Sequence, residues 1–339
     1  MIKIKLSILT LLFLISCSKE NSDETTSIPT FKLTVFAVTG GTVTYDNPND
    51  GQFEAGSQVL ITPVADENYF FIGWTDGSRD NPLTLTLDNN VEIAPKFLNK
   101  QDLITRFQEI VIGDGENGPM DTRKWKEMKV FLDGNPSDQF KSELVFFLEE
   151  LNTVLENDNS FSSIQVNDKS SSNVHMFFTD ADSFKNLYPE YENIELEKYW
   201  GYASWSSDFN GYINEGRVFI NGPEMTENSS IVWTIRHELG HILGLKHTTD
   251  KTSIMNPIYY VGQNDVYSDL DKEALRFLHD QRMPMLADAD ESREILENIL
   301  GVSNSSKISI TSKRPTKLNI HDLNVLAVCG RIKSNTISK

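Results

Sequence analysis

The chain has 339 residues, with 49 acidic side chains against 31 basic, six His, two Cys and a formal charge of −18. That length suggests two or three domains, the 39% hydrophobic content excludes disorder throughout, and the acidic balance excludes nucleic acid as the main partner because phosphate binding needs a cationic face. Cys17 and Cys329 are too few for a disulfide framework or a Cys-type zinc site, so any metal site must use His and carboxylates.

The charge is unevenly spread. Residues 303–339 carry seven basic side chains against Asp322 alone, a balance of +6, so residues 1–302 carry −24. At the other end, Lys3 and Lys5 precede a ten-residue apolar run, Leu6–Ile15, too short to span a bilayer as a helix. This is a signal peptide's layout. The run ends at Leu14-Ile15-Ser16-Cys17, which resembles bacterial lipoproteins, whose signal is cut before a Cys that is then acylated. The resemblance implies a signal over 1–16, a membrane anchor at Cys17, and a place at the bacterial outer membrane or cell surface. Residues 17–29 are otherwise polar and read as a tether.

From residue 30 to 98 the apolar positions alternate with period two (Leu33, Val35; Val59, Ile61; Leu83, Leu85, Leu87; Val91, Ile93), punctuated by Gly40-Gly41, Asp50-Gly51, Gly56 and Asp76-Gly77. A small all-β module is expected, with Tyr69 and Trp74 read as core rather than ligand contacts. The order Lys32–Val35, Gly40–Val43, Phe53–Ser57, Tyr69–Trp74, Asn81–Leu85, Ala94–Phe97 resembles the InlB B-repeat module, a spacer or adhesive unit of surface proteins.

A second domain is expected over 99–283, with its core at about 120–283. Met128–Leu132, Ser162–Val166, Val174–Phe178 and Arg217–Asn221 read as strands, Ser137–Leu155 as an amphipathic helix, and Asp269–Asp280 as a closing helix. Between them, Ile231 to Asp250 reads IVWTIRHELGHILGLKHTTD. Ile231, Ile235, Leu239 and Ile242 form one helical stripe; His237 and His241, four apart, stack on the opposite face, where both can reach one ion. Glu238 is displaced along the helix, toward a metal-bound water rather than the metal. Gly244 lets the chain turn, so that His247 returns as a third ligand. Three imidazoles and an open position describe a catalytic zinc site.

H-E-x-x-H-x-x-G-x-x-H followed by a Met-turn is the metzincin pattern. Ser253-Ile254-Met255-Asn256-Pro257 supplies the turn, and LGLKHTTDKTSIMNPIY resembles the matrixin branch. This resemblance implies an α+β catalytic domain, a twisted sheet with an active-site helix and Met-turn. It implies one catalytic Zn²⁺ on His237, His241 and His247, with Glu238 as acid-base residue and Met255 as a hydrophobic floor. Pro257, Tyr259 and Trp233 would form the specificity pocket. Arg217, Val218, Phe219, Ile220 and Asn221 would be an edge strand holding an extended polypeptide substrate.

Of the remaining His, His175, His279 and His321 read as structural or solvated, too few for a further structural zinc. Asp208, Asn210 and Glu215 either offer oxygens to Ca²⁺ or form a turn with solvated acids. No Cys lies between Ser18 and Glu238 to impose latency, and Cys329 sits in the unassigned segment 284–339, where 288–300 reads as helical. The expectation is a lipid-anchored, monomeric zinc metalloendopeptidase; its rival is a surface-binding lipoprotein with a non-catalytic zinc domain.

Overall fold

The computed structural model describes residues 28–46, 48–113, 120–156, 161–225, 228–260, 262–302 and 324–327. Cys17, His321 and Cys329 lie outside them. Among the described residues no helix is long and apolar enough to cross a membrane.

The alternating segment forms eight short strands: β1 (Thr30–Val35), β2 (Gly41–Thr44), β3 (Gln52–Glu54), β4 (Ser57–Ala65), β5 (Tyr69–Trp74), β6 (Leu83–Leu87), β7 (Val91–Ile93) and β8 (Pro95–Asn99). They pair as β3-β1-β7, β2-β4-β6 and β5-β8. Period-two alternation puts Leu33, Val59, Ile61, Leu83, Leu87 and Ile93 into one core around Trp74, whose indole N–H donates to the Asp80 carbonyl. Trp74 is therefore core, and Tyr69 is half-buried.

Asn99 ends β8 and caps the next helix, its side chain accepting from the N–H groups of Gln101 and Asp102. That helix, α1 (Lys100–Phe107), widens into a π-type turn over Gln108–Ile112. Leu103, Ile104, Phe107 and Ile110 to Ile112 are buried in the same core as the zinc-motif helix. The hydrophobic core around the zinc-motif helix thus reaches back to Leu103. It also extends past 283: after α5 (Asp269–His279), α6 (Ala289–Leu300) buries Leu296 and Leu300 in that core.

The main sheet comprises β9 (Glu127–Gly134), β10 (Ser162–Val166), β11 (Val174–Thr179), β12 (Gly201–Ser207), β13 (Ile213–Asn221) and β14 (Asn324–Ala327), ordered β10-β9-β11-β13-β12-β14. The first four in that order are parallel neighbours; β12 runs antiparallel to β13, and β14 antiparallel to β12. Between β9 and β10 the chain crosses through α2 (Asp138–Val154), as adjacent parallel strands require. A short helix, α3 (Ala181–Leu187), and the zinc-motif helix α4 (Asn228–Ile242) complete the domain. α4 packs against β12, β13 and α2, burying Ile231, Ile235, Leu239 and Ile242, the stripe visible in the sequence.

One expectation is corrected by this topology. Arg217–Asn221 is not an edge strand: β13 pairs with β11 on one side and β12 on the other. Val218, Phe219 and Ile220 are consecutive, apolar and all buried, which is how a central strand reads, since both of its faces are covered. The antiparallel strand beyond it is β12. The unassigned C-terminal segment likewise contributes β14, with Ala203 opposite Ala327 and Ser206 opposite Asn324.

The β module rests on α5. Arg79 makes a two-pronged ion pair with Glu273, Lys96 meets Asp269, and Phe70 lies 5.9 Å from the Phe277 ring.

Candidate metal centre

α4 delivers His237, Glu238 and His241 as buried side chains on one helical turn. After Ile242 the chain turns at Gly244, whose φ of +93° lies where a Cβ would be strained. The Leu245 N–H returns to the Gly240 carbonyl, and His247 comes back over the helix. Ring nitrogens of His237, His241 and His247 all lie within 4.8 Å of one another, the one such group of metal-capable side chains among the described residues.

The tautomers are fixed by the backbone. His237 Nδ1 sits 2.7 Å from the Ile254 carbonyl and His241 Nδ1 sits 2.8 Å from the Leu245 carbonyl. A carbonyl only accepts, so each Nδ1 carries the proton and each Nε2 keeps its lone pair, the form a metal needs. Those two Nε2 atoms are 3.1 Å apart. Two unprotonated nitrogens repel at that range unless something positive lies between them. Two Zn–N bonds of about 2.05 Å at a tetrahedral angle place their nitrogens about 3.3 Å apart. His247 Nε2 is buried with no hydrogen-bond partner, and its ring lies within reach of the same point. The donor set fits zinc.

Burial keeps all three rings neutral. Desolvation, with the neighbouring His247 second, pushes His237 down to about 3; desolvation alone pushes His247 to about 4, and His241 is held well below its ordinary 6.5 by burial and then by His237. Glu238 goes the other way: both carboxylate oxygens are buried without hydrogen bonds, and desolvation raises its pKa well above 4.5. Its carboxyl is pressed against β12, where a Cβ added to Gly201 would lie 2.5 Å from Oε1. Any larger residue at 201 would displace the carboxyl, so Gly201 belongs to the site though nothing in its neighbourhood marks it in the sequence.

The floor is built from the turn after the helix. Met255 is fully buried, and a Cβ on Gly240 would meet its sulfur at 2.5 Å, so it lies directly beneath the turn joining His237 to His241. The Thr248 N–H donates to the Met255 carbonyl, tying the third His to the same turn. Trp233 stacks on the His237 ring at 4.3 Å and 22°, and with Trp200 and Tyr259 forms an aromatic cluster of centroid separations 5.8 to 6.1 Å. Trp233 and Tyr259 are buried and Pro257 half-buried. Trp200 is a member that the sequence reading missed.

The other expected ligands do not converge. Asp208 Oδ1 accepts from the N–H groups of Asn210 and Tyr212, closing a turn, and Glu215 pairs with Arg217, which also pairs with Glu190. This is the turn reading, not a calcium cage. His175 is half-buried in β11, and His279 packs edge-on against Phe161 at 5.1 Å.

The three-histidine centre, with Glu238 beside it and Met255 beneath it, is the arrangement that the metzincin motif describes. Residues 134–279 match the matrixin family, and residues 31–101 match the divergent InlB B-repeat domain. Two solved structures of myroilysin are similar to the chain at 15% identity. One covers 47% of this chain and 83% of its own with a TM-score of 0.31; the other covers 54% and 97% with a TM-score of 0.30. No curated protein matches it.

Proposed function

We propose that this chain is a zinc endopeptidase acting on extended polypeptides, carried on a bacterial envelope by acyl chains at Cys17. The observation that carries the reading is three convergent imidazole lone pairs beside a buried carboxyl, Glu238, that has no protein partner. Zinc, when bound, supplies a Lewis acid that polarises the scissile carbonyl and acidifies a water. His237, His241 and His247 would hold it, the first two with tautomers set by the Ile254 and Leu245 carbonyls. Glu238 takes a proton at its carboxylate and returns it to the leaving amine, a role suited to a carboxyl whose proton affinity burial has raised. Trp233 and Tyr259 close the pocket beside His237, which favours short side chains there.

An extended substrate needs a strand edge next to the metal. β12 starts at Gly201, against Glu238, so its outer edge is the candidate, and β14 already pairs along it. Deleting residues 303–339 should therefore raise kcat/KM on peptides several-fold. A folded truncation with an unchanged or lower rate would show that the C-terminal strand does not compete. The anchor is tested separately: Cys17→Ser should move the expressed protein from the detergent phase to the aqueous phase, and retention in detergent would sink the lipid assignment.

The rival reading is a surface-binding protein with an inert zinc domain. Incubating a peptide library with the zinc-loaded chain discriminates the two. Internal cleavage abolished by a chelator supports the peptidase; intact peptides over zinc-loaded, folded protein support the binding reading.

A further inference from the structure

A buried guanidinium lies beneath the metal centre, on a helix outside the matrixin match. Arg106, in α1, is 3% exposed. Its Nη1 donates to Asp271 and, at 3.4 Å, to Ser268 Oγ; its Nη2 donates to Asp250; its Nε lies 3.8 Å from Glu109. One cation thus stands among three carboxylates. The buried pair within it, Arg106 and Asp271, persists only if each charge is paired and hydrogen-bonded, while Asp250 and Glu109 reach the guanidinium from the half-exposed side.

Each carboxylate is also fastened to the loop that builds the zinc site. Asp271 accepts from Ser253 Oγ at 2.8 Å and from the Ile254 N–H at 3.3 Å. The Ile254 carbonyl is the group that orients His237, and Ser253 Oγ accepts the Met255 N–H at 3.0 Å. Glu109 accepts from the hydroxyl of Thr248, the residue after His247, at 2.7 Å. The Asp250 N–H donates to that same hydroxyl. From one guanidinium, one route runs through Asp271 and Ile254 to the His237 ring, and another runs through Asp250 and Glu109 to Thr248, the residue after His247.

We infer that Arg106 is a positioning residue for the metal centre: its guanidinium holds Asp250, Asp271 and Glu109 together, and so fixes the loop that aims His237 and His247. Without that charge, the three carboxylates repel at close quarters and the loop shifts. The fork sets Nη1 on Asp271 and Nη2 on Asp250 at once, a spread that lysine's single nitrogen does not reproduce. The segment joining the β module to the catalytic core is then part of the zinc site rather than a linker. This inference rests on the three His being zinc ligands.

The experiment uses the full chain with Arg106→Lys, Arg106→Met and Arg79→Met. The last breaks the ion pair to Glu273 on α5, which touches no group of the loop. Zinc affinity is read by competition with a chromophoric chelator, and ligand geometry by the visible absorption of the cobalt-substituted protein. Arg106→Lys should fold, bind zinc about 10- to 100-fold more weakly, the loss typical when a group supporting a metal ligand is removed, and show an altered cobalt spectrum. Arg106→Met should do the same or worse; if it does not fold, Arg106→Lys decides. Arg79→Met should melt lower with zinc affinity and cobalt spectrum unchanged. Wild-type affinity and spectrum in Arg106→Lys would overturn the inference, as would an equal loss of affinity in Arg79→Met. A wild-type chain that binds no zinc would instead overturn the ligand assignment itself.

Discussion

Glu238→Gln should lower kcat/KM on any cleaved peptide by about 10²- to 10⁴-fold, the range for removing a positioned general base, while leaving one zinc bound. The reasoning is geometric. Glu238 shares a helical turn with two ligands but makes no contact that holds the fold: both oxygens are buried and unpartnered. Glutamine keeps the shape against Gly201 and cannot take a proton. Because burial already disfavours the charged carboxylate, the neutral amide should also melt no lower than wild type. Loss of activity without loss of stability is what a group kept for chemistry predicts. Reduced zinc content or a lowered melting temperature in Glu238→Gln would mean that the residue is structural.

Removing zinc should destabilise the protein, and the metal-free chain should lose further stability in acid. A ligand at about 1,000 times its dissociation constant adds about 4 kcal/mol to the native state, and for a domain of this size each kcal/mol moves the melting temperature by roughly 2–4 °C. Chelation should then lower it by roughly 10 °C. The pH trend follows from the three imidazoles. Their folded pKa values lie below the ordinary 6.5, at about 3 for His237 and about 4 for His247, with His241 also well below. Between those values and 6.5 the unfolded chain binds protons that the native chain does not, so stability is complete above pH 6.5 and is lost as pH falls toward the folded values. Glu238, raised above 4.5, opposes this because its native form holds a proton that the unfolded form releases. Three imidazoles outweigh one carboxyl, so the metal-free protein should melt progressively lower from pH 6.5 downward. Melting curves of the chelated protein across pH 4 to 8 check it; a flat or opposite trend would contradict the burial of the three rings.

Much of this centre could be read from the sequence because its parts are local. The ligands of one ion fall on a single helical turn and the loop after it, so spacing alone puts His237 and His241 on one face and returns His247 at Gly244. The strand β12 was not legible: Gly201, Ala203, Ser204, Ser206 and Ser207 carry none of the β-branched signal of a strand, and neither of its faces shows alternation. The resemblance puts the edge at Arg217–Asn221, the last strand signal before the zinc motif, although the unbroken apolar run Val218-Phe219-Ile220 argues for a central position. Arg106 could not have been placed by any local pattern. Its partners Asp250 and Asp271 stand 144 and 165 residues away, and only folding brings α1 beneath the loop. Asp271 had a partial signal, since Ser268-x-x-Asp271 is a helix cap, and the structure forms that capping box. What the cap does not announce is that the same carboxylate also holds Ser253 and Ile254.

The most direct test is a zinc titration of peptide hydrolysis by the full chain after exhaustive chelation. The account predicts no cleavage before zinc is returned, a linear rise in rate up to one equivalent, and saturation there, with Glu238→Gln binding the same single equivalent and cleaving at most about one hundredth as fast. Cleavage by the metal-free chain, or one equivalent of zinc bound with no peptide hydrolysed, would contradict it.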